Sequence, residues 1–231
     1  MKKPAFTMLE LVFVIVAIGI LSAVFIPKFG QNKLSEAANQ VISHIRYTQH
    51  LALMDDKFDP TSEFWYRQRW QIFFSGANAT QSYMIFSDSP SNVGAYDGNP
   101  GADVAYTDVE VARNPLNKSN YLIGTAYSSF ANSDTSRLSE DLDLEKKYGI
   151  VEIKVTGGTT STAKRIAFDH LGRPYKGAVN GFTSSADGLA TTQIYVKLCR
   201  EETCKGSDKT ANTEKEAVIV IDQETGYVHQ L

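Results

Sequence analysis

Residues 6–26 read FTMLELVFVIVAIGILSAVFI, and the reading of this stretch decides the rest of the chain. It holds one ionisable residue, Glu10. As a helix rising about 1.5 Å per residue it would be roughly 30 Å long, enough to cross the hydrocarbon of a bilayer. A carboxylate inside such a span costs about 3 kcal/mol on insertion scales. A plain anchor gives no reason to keep Glu10. A cleaved signal peptide fits poorly, because the run is too long and contains an acid. Its nearest small-x-small site, Leu21-Ser22-Ala23, also has a large residue where a small one is needed. Lys2 and Lys3 precede the run, but Lys28 and Lys33 follow it, so flanking charge does not set an orientation.

Working outward, Pro27 is expected to kink or weaken the helix, since it lacks an N–H and clashes with the carbonyl of Ala23. Gly19 loosens it further. Beyond Pro27 the helical period resumes. Leu34, Ala38, Val41, Ile45, Thr48 and Ala52 follow steps of four and three, and Ala37 and Ile42 widen the stripe. Asn39, Gln40, Ser43, Arg46 and Gln49 fall on other faces. The pattern predicts an amphipathic helix ending near Met54, whose apolar face needs a sheet to pack on.

After the helix the chain reads as strands. Residues 70–74 and 82–87 flank a Gly-Ala-Asn turn and predict a hairpin. Residues 150–156 (IVEIKVT) alternate cleanly. Further strands are expected at 165–169, 192–198, 217–222 and 227–230, with turns at Gly157-Gly158 and Glu224-Thr225-Gly226. Residues 88–120 are rich in Ser, Asn, Asp, Gly and Pro and predict a surface loop with short strands. No internal repeat and no second domain boundary is visible. The fold class expected is α+β, a long helix packed on an antiparallel sheet.

The chain has 231 residues and a formal net charge of −3. A mild acidic balance argues against strong general binding to nucleic acid. The part beyond residue 27 is long enough for one domain with a real core. No catalytic constellation is legible: there is no G-x-S-x-G and no H-E-x-x-H. Residues 172–177 (GRPYKG) lack the Lys-Ser or Lys-Thr of a phosphate loop and read as a strand-to-turn connection. The acidic run of Glu140, Asp141, Asp143 and Glu145 lacks a calcium-loop pattern and reads as a solvated face. Asp97-Gly98-Asn99 and His170 read as turns. Lys164, Arg165, Arg173 and Lys176, with Tyr175 among them, lie close in sequence and could contact a nucleic-acid strand, though ordinary surface charge explains them as well. No enzyme, cofactor or metal site is expected. Cys199 and Cys204 bracket a short polar loop, which in an exported domain favours a local disulfide. The four histidines are scattered and none has zinc-ligand spacing to this pair.

The start of the chain resembles the type IV prepilins. A short basic leader ends in the small residue Ala5, where the family usually has Gly. Then come Phe6-Thr7-Met8-Leu9-Glu10, an apolar helix with Gly19, and Pro27. The resemblance implies a leader of residues 1–5, cut between Ala5 and Phe6, and N-methylation of Phe6. Glu10 becomes the fifth residue of the mature chain. Loss of Lys2 and Lys3 leaves 21 basic against 26 acidic residues, a net charge of −5. In this family the glutamate of one subunit neutralises the terminal amine of a neighbour, so Phe6 and Glu10 would serve assembly. Such a pair fixes register, because a slip leaves two unpaired charges in an apolar setting. The ordinary alternative is that Glu10 pairs with its own chain's amine.

Residues 166–169 (IAFD) followed by Gly172-Arg173-Pro174 are similar to a stretch of the H-type minor pseudopilins and FimT-like minor pilins. Residues 218–221 and 225–228 resemble their closing hairpin. The resemblance implies a pilin-like fold: residues 6–27 as the membrane and assembly half of the helix, and 28–231 as an extracytoplasmic α+β domain. It implies a minor subunit of a type IV pilus or type II secretion pseudopilus, in the bacterial inner membrane with its C-terminal domain in the periplasm. Its partners would be prepilin peptidase, other pilins or pseudopilins, the inner-membrane assembly platform and, before assembly, membrane lipid. Some FimT-like minor pilins also bind DNA. The competing expectation is a membrane-anchored periplasmic binding domain or enzyme that keeps its leader.

Overall fold

The computed structural model describes residues 7–75, 80–90, 96–100, 109–127, 134–200, 204, 207, 209–210 and 215–231; for residues 23–32 it describes the backbone alone. One helix, α1 (Met8–Met54), runs for 47 residues. It starts where Thr7 caps it. The Thr7 hydroxyl accepts from the Glu10 backbone N–H, and the Glu10 carboxylate accepts from the Thr7 N–H, a reciprocal capping box. The helical backbone continues through Pro27. A proline forfeits one backbone hydrogen bond, and the turns on either side keep theirs. The helix ends at Asp55, whose N–H bonds the Leu51 carbonyl and whose carboxylate accepts from the Trp70 indole at 2.8 Å.

The stripe expected between Leu34 and Ala52 is the buried face of α1: Leu34, Ala38, Val41, Ile45, Thr48 and Ala52 are all at most 3% exposed. Polar residues beside the stripe also hold the helix. Gln40 donates to the Tyr83 hydroxyl and Arg46 to the Val228 carbonyl, while Gln49 donates to the carbonyls of Gly172 and Thr225. The two stretches that carry the minor-pilin resemblance, around Gly172 and Thr225, are thus bridged by one helix side chain. They lie so close that a Cβ at Gly226 would come within 2.3 Å of the Gly172 carbonyl, and Gly226 has φ +64°. Both facts demand glycine there.

Among the described residues, eight strands form two antiparallel four-stranded sheets. β1 (Gln71–Ser75), β2 (Ser82–Phe86), β4 (Arg165–Phe168) and β5 (Pro174–Lys176) make the first, in the order β2-β1-β4-β5. β3 (Glu152–Gly157), β6 (Ile194–Cys199), β7 (Glu216–Ile221) and β8 (Val228–Gln230) make the second, in the order β3-β6-β7-β8. Side chains of both sheets meet α1 in one core. Ile72, Phe74 and Ile166 come from the first sheet, and Ile153, Val196 and Ile219 from the second. Strand period two sends alternate residues there. The fold is therefore α+β with an N-terminal helix on antiparallel sheet.

The outer face of the first sheet is covered too. Residues 109–127, expected in part as surface loop, lie along β2 instead, through bridges Phe86–Val111 and Met84–Ile123. They bury Val111, Tyr121 and Ile123 against Met84 and Phe86. Residues 91–95 and 101–108 of the expected loop lie outside the described residues. Farther along the same sheet, Tyr66, Val179 and Phe182 cover Ala167 and Tyr175. The GRPYKG stretch, expected as a strand-to-turn connection, contains the three-residue strand β5. The acidic run is not wholly solvated either. Asp143 is fully buried and accepts from the Ser82 hydroxyl, the Thr125 N–H and the Thr125 hydroxyl. Glu145 follows it in a short helix, α2 (Leu144–Tyr148), and accepts from the Gln81 N–H. The turn at Asp97-Gly98-Asn99 is present, with the Asn99 N–H on the Asp97 carboxylate and Gly98 at φ +78°.

Candidate functional site

The long helix divides into two halves with opposite surroundings. From Leu34 to Ala52 the apolar stripe is buried in the domain, and Leu53 and Met54 at the end of the helix are exposed. From Met8 to Ser22 every described side chain is exposed, most of them large and apolar: Leu9 is 69% exposed, Phe13 68% and Ile20 63%. A continuous apolar surface of this extent marks an interaction face, since monomers in water rarely present more than a few hundred Å². The hydroxyl of Ser22 donates to the Ile18 carbonyl at 2.8 Å, so this half satisfies its hydroxyl internally. Among the described residues no helix is long and apolar enough to cross a membrane. The expected span of 6–26 includes Phe6 and residues 23–26, whose side chains lie outside the described set.

Glu10 sits at the tip of this face. One carboxylate oxygen, Oε2, accepts from both the N–H and the hydroxyl of Thr7, each at 2.8 Å. The acid therefore has a local task that sequence reading missed. The signal was present, since Thr-x-x-Glu ahead of an apolar run is a capping-box pattern. The cleavage pair Ala5 and Phe6, and the methylation expected at Phe6, lie outside the described residues.

Cys199 and Cys204 are joined by a disulfide with Cα atoms 5.6 Å apart. Cys199 is buried at the end of β6, and the Cys204 N–H donates to Glu152 of β3 at 2.6 Å. The bridge therefore ties Cys204 to the end of the second sheet.

Two open clefts lie on either side of the end of β3. The larger, about 680 Å³, is lined by Thr156, Gln193, Tyr195, Lys209, Asp222 and Thr225 among others. Here the Tyr195 hydroxyl donates to Gln193, which donates to Asp222 at 2.7 Å, so the polar groups are ordered by one another. Among the described residues this arrangement holds no paired nucleophile and base of the kind acyl transfer needs. Among the described residues no group of three or more His, Cys, Asp or Glu side chains is placed to hold a metal ion.

The basic residues grouped by sequence do not act as a group. Arg165 turns to the Gly98 carbonyl and the Asn99 side chain and lies over the Phe73 ring at 4.1 Å. Arg173 pairs with buried Asp169 at 2.8 Å. Lys164 and Lys176 face a different place, the smaller cleft beside β3. His170 is an exposed turn residue 3.6 Å from the Asp56 carboxylate.

Comparison with protein-family models, with curated proteins and with solved structures finds no match.

Proposed function

We propose that this chain is a type IV pilin-like minor subunit, built into a type IV pilus or a type II secretion pseudopilus. The observation that carries the reading is the division of α1. Its C-terminal half is a structural member of an α+β domain, and its N-terminal half projects as an apolar rod tipped by Glu10. A rod of this kind needs lipid or other helices around it. In this reading residues 6–27 sit in the inner membrane until assembly and then join the helical core of the filament. The domain, with its disulfide, lies in the periplasm and then on the filament surface. The prepilin peptidase would cut between Ala5 and Phe6, and the new Phe6 amine would meet the Glu10 carboxylate of a neighbouring subunit. The leader pattern of residues 1–10 and the paired stretches at Gly172 and Thr225 support the same reading.

Photo-crosslinking in cells that make the filament tests it. A photoreactive residue in place of Phe13 is expected to crosslink to another pilin-like subunit. Crosslinks to lipid alone, at all growth stages, would favour a domain that is merely anchored.

A further inference from the structure

A lysine-lined groove lies between strands of the two sheets. Lys164 ahead of β4 and Lys176 of β5 line this groove of about 350 Å³, together with Lys154 of β3, which already has a partner. Thr156, Thr159, Ser161 and Thr162 contribute hydroxyl-bearing walls, and among the described residues no carboxylate lines it.

Lys176 is the decisive residue. It is only 2% exposed, yet its ammonium donates to nothing more than the Ser161 carbonyl among the described residues. Burial pushes its pKa down, and no neighbouring acid pulls it back. A carbonyl offers a partial charge, so a buried ammonium held this way still lacks a counter-ion. The wall that holds it is built for the purpose. The Thr159 hydroxyl donates to the Lys176 carbonyl and accepts from the Ser161 N–H, and the Ser161 hydroxyl accepts from the Ala163 N–H. These bonds fix the 159–163 loop and aim the Ser161 carbonyl at the ammonium. Gly158, at φ +71°, lets the chain leave β3 sharply. A Cβ there would come within 2.7 Å of Ile194.

We propose that this groove binds a tetrahedral oxyanion, the phosphate or sulfate ester group of a small ligand or chain end. Lysine ammoniums are point charges suited to such groups, and the hydroxyls of Thr156, Ser161 and Thr162 supply the remaining donors. The volume lies within the range of small-molecule sites and is far too small for a nucleic-acid duplex.

The test uses the full-length chain in detergent micelles at constant ionic strength set with chloride. Inorganic phosphate, sulfate and a sugar 6-phosphate are titrated by calorimetry. Saturable binding is expected, with Lys164→Ala weakening it at least fivefold and Lys176→Met abolishing it. The exposed control Lys118→Ala should change nothing. If Lys176→Met does not fold, Lys164→Ala and Lys154→Ala carry the test, because both residues are only half-buried. A sugar phosphate that binds tighter than free phosphate marks an ester ligand, and equal binding marks the free ion; either supports the site. No saturable binding above the chloride background would overturn it, as would binding that Lys164→Ala and Lys154→Ala leave unchanged. Binding of oligonucleotides that phosphate does not compete away would also overturn it.

Discussion

At the scale of single residues, two carboxylates and a histidine carry opposite lessons. Glu10 both caps α1 and, in the proposed assembly, meets a neighbour's amine, and a substitution separates the roles. Glutamine can replace glutamate in a capping box but carries no charge. Glu10→Gln should leave α1 intact and cleavage normal, yet lower incorporation into filaments at least several-fold, as read by immunoblot of the filament fraction. Incorporation at the wild-type ratio would mean that capping is the whole of its task. His44, part-buried on α1, lies 2.6 Å from the Tyr83 hydroxyl, which accepts from Gln40. Tyr83 therefore donates to the neutral imidazole, and burial pushes the His44 pKa down to about 4. The unfolded chain takes up this proton near pH 6.5, whereas the folded chain resists it until about pH 4. Stability from this group is thus full above pH 6.5 and is lost as pH falls towards 4, up to about 3 kcal/mol. Asp88 acts in the opposite sense. Burial raises its pKa to about 7, so its contribution is full near pH 4 and fades as pH rises through 7. Urea unfolding at pH 7 and pH 4.5 should show His44→Gln losing less stability on acidification than the wild type. An identical loss would show that His44 does not titrate between the two states.

Among the elements, legibility followed periodicity. The buried stripe of α1 and the strands β3, β6 and β7 were readable, because each repeats a pattern over a full element. β5 was not: it has three residues and opens on Pro174, which in isolation reads as a turn. For residues 109–127 the sequence could place no particular pairing, because they join the sheet through single bridges, too short to show a period. Asp143 looked solvated because it sits among other acids. The groups that bury it, Ser82 and Thr125, come from distant segments that sequence spacing cannot bring together. The lysine groove was legible in part. Lys164 and Lys176 were grouped by sequence, but Lys154 of β3 joins them only in the fold, and Arg165 and Arg173 of the same group face elsewhere. The disulfide belongs to this scale as well. On a chain-entropy argument its short loop contributes about 2 kcal/mol. Cys199→Ser should lower the urea midpoint of the oxidised protein accordingly while leaving the wild type under reductant at the same lowered midpoint. Unchanged midpoints in both comparisons would show that the bridge is energetically idle.

For the whole molecule, the account divides the chain near residue 28. A fragment from Lys28 onward keeps the whole buried stripe and should remain in solution and melt cooperatively. A fragment starting after Met54 loses Leu34, Val41, Ile42 and Ile45 from the core. At about 1.5–3 kcal/mol for each large side chain, that loss is about 6–12 kcal/mol, comparable to the whole stability of a typical domain. The shorter fragment should show no cooperative melt by circular dichroism. If it melts at the temperature of the longer one, α1 is an appendage rather than part of the core. The central claim, that α1 begins as a processed pilin-type helix, is tested most directly at the other end of the chain, by intact-mass and N-terminal peptide mass spectrometry of the mature protein from its own membrane. The account predicts a chain beginning at an N-methylated Phe6; a mature chain that still begins at Met1 would contradict it.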